Sequence, residues 1–192
     1  FRFDFTWYLD NRIGRIMITI DGGTGKVLYN GVDIASRIMI DQWRRNATLN
    51  LSSGENYLTS DWERVDTGAQ GACIPGGGMT ESSGVFTFPM TGIYKVEWQV
   101  YFEDTGSASV NNCNIYGTTN NNDYTILSSS VNSIPDVSSY SYSSAHTQTL
   151  IDVTDTSQVK VKFRVYSNST VTVDTSSAEN RNCATFLRVG DT

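Results

Sequence analysis

The chain has 192 residues, 39% hydrophobic and 18% charged; this suffices for one domain with a packed core and is too apolar for a disordered chain. Its net charge of −6 offers no basic stripe for phosphates and no attraction to an anionic bilayer. No apolar run approaches a membrane span, so neither nucleic-acid binding nor membrane insertion is expected.

The charge divides the chain. Residues 1–35 carry four acidic and four basic side chains, whereas the rest carries sixteen and ten, which accounts for the whole −6. Within the neutral part, "RIMITIDGGTGKVLYNGVDI" (15–34) predicts strand, turn, strand, turn, strand: Ile16, Ile18 and Ile20 alternate with Met17 and Thr19, and Asn30-Gly31 is a strong hairpin turn. The run "GGTGKV" is not a phosphate loop, because the leading Gly is missing and Val27 stands where a Ser or Thr must bind magnesium. Residues 1–35 are therefore expected to form a β segment that joins the protein to a particle or a stem by strand pairing, with the amide of Ile18 as one candidate contact.

From residue 36 onward a separate head is expected. In "IASRIMIDQWRR" (34–45) Ile34 and Ile38 suit a helix face, while Ile38, Ile40 and Trp43 suit a strand entering a core, and the strand is expected; "NATLNLSSGEN" reads as a loop, and Trp62–Val65 as another strand. Phe86 and Phe88 share one face of a short strand that Pro89 ends, and Gly92 permits a reversal. The next strand puts Tyr94, Val96, Trp98, Val100 and Phe102 on one side, with Lys95, Glu97 and Gln99 on the other. "VKVKFRVY" repeats the pattern, with Val159, Val161, Phe163 and Val165 inward and Lys160, Lys162 and Arg164 outward. Further strands are expected near 109–117, 123–129, 143–153 and 169–174, with "CATFLRVGDT" closing the chain. The fold class is thus all-β, an antiparallel two-sheet jelly-roll sandwich.

Chemistry-bearing constellations are sparse. Cys73, Cys113 and Cys183 are odd in number and widely spaced, and read as free thiols, with one disulfide and a leftover thiol as the alternative. His146 is the one histidine and reads as a strand surface residue, and Asp123, Asp152 and Asp155 lack the ordered oxygen ligands of a calcium loop. The expectation is that the chain is not an enzyme and holds no catalytic residue, cofactor or metal.

Phe86, five residues, Gly92, one residue, Tyr94 and then alternating large apolar residues, together with the ending "ATFLRVGDT", resembles the globular head of complement component 1q, which shares the tumour-necrosis-factor-like jelly roll. Phe86, Phe88, Gly92, Tyr94 and Trp98 carry that resemblance, while Met79 and Ile74 depart from the pattern. The phrasing around it looks most like heads on structural proteins of tailed bacteriophages. The resemblance implies a homotrimer packed about a threefold axis. It also implies a virion surface protein, a fibre or knob that meets a host glycan or protein, with residues 1–35 joining other virion proteins. A capsid decoration protein and a secreted cytokine-like or lectin-like module are the alternatives. Receptor contacts are expected from Asn111, Asn112, Asn120, Asn121, Asp123, Tyr140 and Tyr142, since Tyr rings stack on sugars and Asn or Asp fix hydroxyls.

Overall fold

The computed structural model describes residues 3–5, 18–21, 26–29, 32–33, 39–71, 77–104, 108–135 and 140–192. Cys73 and Ile38 lie outside them, as do the turns expected at Gly22–Gly25 and Asn30-Gly31. β1 (Phe3–Phe5), β2 (Ile18–Asp21), β3 (Lys26–Tyr29) and β4 (Val32–Asp33) form a four-stranded antiparallel sheet in chain order. Ile18 and Ile20 face outward and Thr19 is buried between them. β2 is paired on both sides, to β1 and to β3, so Ile18 sits in a central strand and not at an edge open to another chain.

Two larger antiparallel sheets make the head. One runs β14 (Ser141–Val153), β11 (Gly92–Asp104), β17 (Cys183–Gly190), β5 (Met39–Arg45), β8 (Trp62–Arg64), and at one end β16 (Val171–Val173) and β6 (Leu49–Leu51) continue from β11. The other runs β13 (Thr125–Ile134), β12 (Ala108–Thr118), β15 (Lys160–Ser167), β10 (Val85–Thr87), β9 (Thr80–Ser82), with β7 (Gly54–Tyr57) also on β15. The stretch 46–56, expected as a loop, therefore contains two strands. Period-2 sequences with one apolar face form these ladders because burying that face fixes the register. Tyr94, Val96, Trp98, Val100 and Phe102 are wholly buried from the first sheet, and Phe86, Val161, Phe163 and Val165 from the second. The rings interlock: Phe86 meets Trp43, Trp62, Phe163 and Phe186 with centroids 5.1–5.7 Å apart, within the range in which tilted aromatic pairs attract.

Two sequence expectations are corrected. In β5 the inward residues are Met39 and Asp41, with Trp43 half-buried, while Ile40 is exposed. The parity inverts because Asp41 is fully partnered inside: its carboxylate accepts from Trp43 Nε1 (3.0 Å), Arg64 Nε (2.9 Å) and the Met79 amide (2.8 Å). In β15, Lys160 and Arg164 lie on the outward face as expected but are buried there. Their long stems lie along the sheet, with Lys160 Nζ donating to Thr87 Oγ1 (3.0 Å) and the Thr156 carbonyl (2.7 Å).

The ladders define two poles. Gly92 pairs with Val153 and Met39 with Arg188, and Thr192 Oγ1 donates to the Val153 carbonyl, so the chain enters the head and ends at one pole. Asp104, Ser141, Cys183 and Arg45 mark the other end of the same strands.

Cys113 and Cys183 are free, buried thiols. Burial pushes Cys113 up to about 12 and Cys183 to about 11. A folded thiol held above its unfolded value keeps its proton longer, so this stabilisation is present below about pH 9 and is lost as pH rises through 11 to 12. Iodoacetamide at about pH 8, read by peptide mass spectrometry, should leave both residues unmodified in native protein and label both in denaturant. Fast native labelling of either would contradict the burial.

Candidate functional site

The seven residues expected to face a receptor do not form one surface. Asn111 and Asn112 belong to β12, not to a loop. Asn111 is wholly buried, paired across the ladders with Asn132 and Ser167, so it is no receptor contact. Its side chain turns inward beside Asn132 and Ser167, and neither its Oδ1 nor its Nδ2 has a hydrogen-bond partner among the described residues.

Asn120, Asn121 and Asp123 lie in the exposed turn between β12 and β13. Asn120 Oδ1 accepts from Thr118 Oγ1 (2.9 Å) and from the amides of Asn122 (3.0 Å) and Asp123 (2.8 Å). The Asp123 carboxylate accepts from the side chains of Asn120 (2.8 Å) and Asn122 (2.9 Å). Asn121 takes a positive φ of 55°, which Asn tolerates, and its amide donates to the Gln158 carbonyl. The side chains of Asn120 and Asp123 thus shape a rigid turn from within. This turn sits at the pole where the chain enters, beside a cleft of about 410 Å³ whose lining includes Leu127, Leu150, Asp152 and Lys160.

Tyr140 and Tyr142 lie at the opposite pole and are open, at 61% and 55% exposed. Tyr142 stacks on Tyr101 (5.6 Å, 29° between planes), and the Arg181 guanidinium covers Tyr101 at 5.4 Å. The two tyrosines and the 118–124 turn therefore mark separate surfaces.

Two further features had no sequence forecast. The first is a set of exposed apolar side chains: Ile126, Leu127 and Val131 (61%) on the edge strand β13, and Leu150 (65%) on the solvent face of β14, opposite Lys95. The second is a cluster on the outward face of β15. Lys162 Nζ lies 4.5 Å from the Tyr57 ring and 4.0 Å from Tyr124, and the Arg164 guanidinium lies 4.8 Å from the Tyr116 ring. Arg164 donates to Asn114 Oδ1 (3.0 and 3.2 Å) and pairs with Glu55. Tyr57 and Tyr116 meet edge to face at 5.6 Å. The outward Lys and Arg were legible in the alternation of β15; their aromatic partners come from three other segments.

No family model matches the chain, and no curated protein matches it in sequence. Among solved structures, Eiger TNF from S. frugiperda superposes with a TM-score of 0.62 at 12% identity, covering 81% of this chain and 94% of that one. Murine APRIL at pH 5.0 superposes with a TM-score of 0.55 at 12% identity, covering 79% and 99%. The head has the tumour-necrosis-factor-like jelly-roll fold. Within that jelly roll the signature residues Phe86, Phe88, Tyr94 and Trp98 are all buried core, and Gly92 opens β11 at a φ of 141°.

Proposed function

We propose that the chain is the homotrimeric head of a virion surface protein of a tailed bacteriophage, a fibre tip or knob that faces the host and attaches to its envelope, with no catalytic activity. The observation that carries the trimer is the exposed apolar edge of β13. An edge strand with Val131, Leu127 and Ile126 open to water is a liability unless covered. A second apolar surface is open on the same chain: the solvent face of the β14–β11–β17–β5 sheet, where Leu150, Leu187 and Ile40 lie in one row across the ladders with Lys95. An edge of one copy against the face of the next is a heterologous contact, and three such contacts close a ring.

The sequence resemblance to phage heads supports the virion setting. The N-terminal sheet supports a joining role through its outward Ile18, Ile20 and Val27, by apolar contact rather than through the amide of Ile18. The pole that carries Tyr140 and Tyr142 lies away from the pole where residue 39 enters, and so faces outward.

Light scattering at micromolar concentration should give three times the chain mass. The double substitution Val131→Glu, Leu150→Glu should give a folded monomer. A wild-type monomer would sink the trimer. Isolated wild-type head should compete with virions for adsorption to the host. A trimer that does not compete, from particles that become heat-fragile without it, would favour the decoration role, and a trimer that engages animal cell-surface receptors would favour the cytokine-like one.

A further inference from the structure

We propose that the outward face of β15, between β12 and β7, is a binding site for a carboxylate-bearing sugar, with the Lys162 ammonium as the charge partner and the rings of Tyr57 and Tyr124 as the stacking surface. The site rests on the reading of the chain as an attachment head and gives that head a ligand class.

Lys162 is in the middle of β15, flanked in register by Tyr116 on β12 and Val85 on β10. Lys160 and Arg164, two residues to either side, share its face. These two cations are committed elsewhere: Lys160 to Thr87 and Thr156, Arg164 to Asn114 and Glu55. Lys162 differs. Among the described residues its ammonium touches only aromatic faces, Tyr57 at 4.5 Å and Tyr124 at 4.0 Å. Partial burial lowers its pKa, and no acidic neighbour raises it. Three cations against Glu55, paired with Arg164, and Asp155, beside Lys160, leave this face with a net positive charge on a chain of net charge −6.

The geometry selects among anions. A compact phosphate would use the ammonium and gain nothing from the rings. A neutral sugar would use the rings and leave the ammonium without an anion. A sugar ring with a carboxylate uses both, its C–H face on the exposed part of the Tyr57 ring and its acid on Nζ. The platform is set before the ligand arrives. Tyr57, 41% exposed, is held edge-on by Tyr116, which in turn is held by the Arg164 guanidinium. Such preorganisation lowers the ordering cost of binding. The near edge of the face adjoins β13, where Ile126 pairs with Tyr116, and Lys162 and Tyr57 lie on the strands beyond.

The test titrates galacturonate and glucuronate trisaccharides, their methyl esters and galactotriose into the full chain by calorimetry. At least one acid should bind, with its ester and the neutral sugar about tenfold weaker or worse, the loss expected for one charge-assisted contact. Lys162→Met should bind acid no better than ester at unchanged trimer mass, and Tyr57→Ala should weaken acid and ester alike. Equal affinity for acid and ester, binding untouched by Lys162→Met, no binding of either acid, or equal binding of poly(glycerol phosphate) would each overturn the site. A head that competes for adsorption but binds neither acid overturns the site and leaves attachment standing. A head that binds the acid through Lys162 but never competes supports the site and sinks the attachment role.

Discussion

Replacing Asp41 with alanine is expected to cost roughly 3–4 kcal/mol of stability, a large part of what a domain of this size has. Asp41 is wholly buried in β5 and gathers three separate segments. Its Oδ2 accepts from Trp43 Nε1 and from the Met79 amide, and Arg64 forks onto both oxygens at 2.9 and 3.1 Å. Arg64 is more than a third exposed and would rehydrate, so that part of the loss is small. The larger part is the buried Met79 N–H and the indole N–H left without an acceptor, each an unsatisfied donor. Asp41→Asn keeps the shape and one carbonyl oxygen and should lose about half as much. The urea midpoint decides the matter: a loss under about 1 kcal/mol for Asp41→Ala would mean that the carboxylate does not hold β5 to β8 and to the 77–80 stretch.

Gly92→Ala is expected to cost roughly 2–4 kcal/mol, from backbone strain and from overlap that cannot relax. Gly92 has a φ of 141°, a region that L side chains rarely enter. A Cβ there would lie 2.5 Å from the Gly190 carbonyl oxygen and 2.6 Å from Arg188 Nε. The side chain of Arg188 could swing aside, but the carbonyl is backbone and belongs to β17. That strand is already irregular there: Ile93 pairs with Gly190 and Tyr94 with Arg188, so Val189 is the bulged residue. Thermal unfolding of Gly92→Ala should fall by several degrees, accompanied by faster amide exchange at the start of β11 and the end of β17. A mutant that unfolds at the wild-type temperature would show that the reversal does not need glycine.

Both sites explain which parts of the molecule were legible in the sequence. β11, β15 and β17 announce themselves because each buries one apolar face, and Gly92 because a reversal between two aromatic strands needs a permissive backbone. β5 was readable as a strand but not in parity. Asp41, Arg44 and Arg45 are buried charges, and their partners are distant in sequence: the charges of Arg64, Glu63 and Asp61 and the acceptor oxygens of Thr67 and Gln70. Ile40 looked like core only because hydrophobicity is local information and ion pairing is not. Asn111 misled because a polar run suggests a loop, whereas this run is held as a strand by its ladders with β13 and β15. The turn at Asn120 and Asp123 could have been read more sharply, because Asn and Asp two or three residues apart commonly satisfy their own backbone. The Lys162 cluster needs Tyr57, Tyr116 and Tyr124 brought together by the sheet, and no stretch of the chain carries that pairing.

The shared pole of entry and exit has a consequence for how the head could travel between proteins. Because Met39 pairs with Arg188, while Thr192 reaches back to Val153, the head's first and last strands are neighbours. A domain whose ends lie side by side can be spliced into a surface loop of an unrelated host with little stretching of either partner. The jelly roll is in this sense a cassette: a recombination event would need only two cuts close together in space to move it whole, with its tyrosine pole still pointing away from the graft.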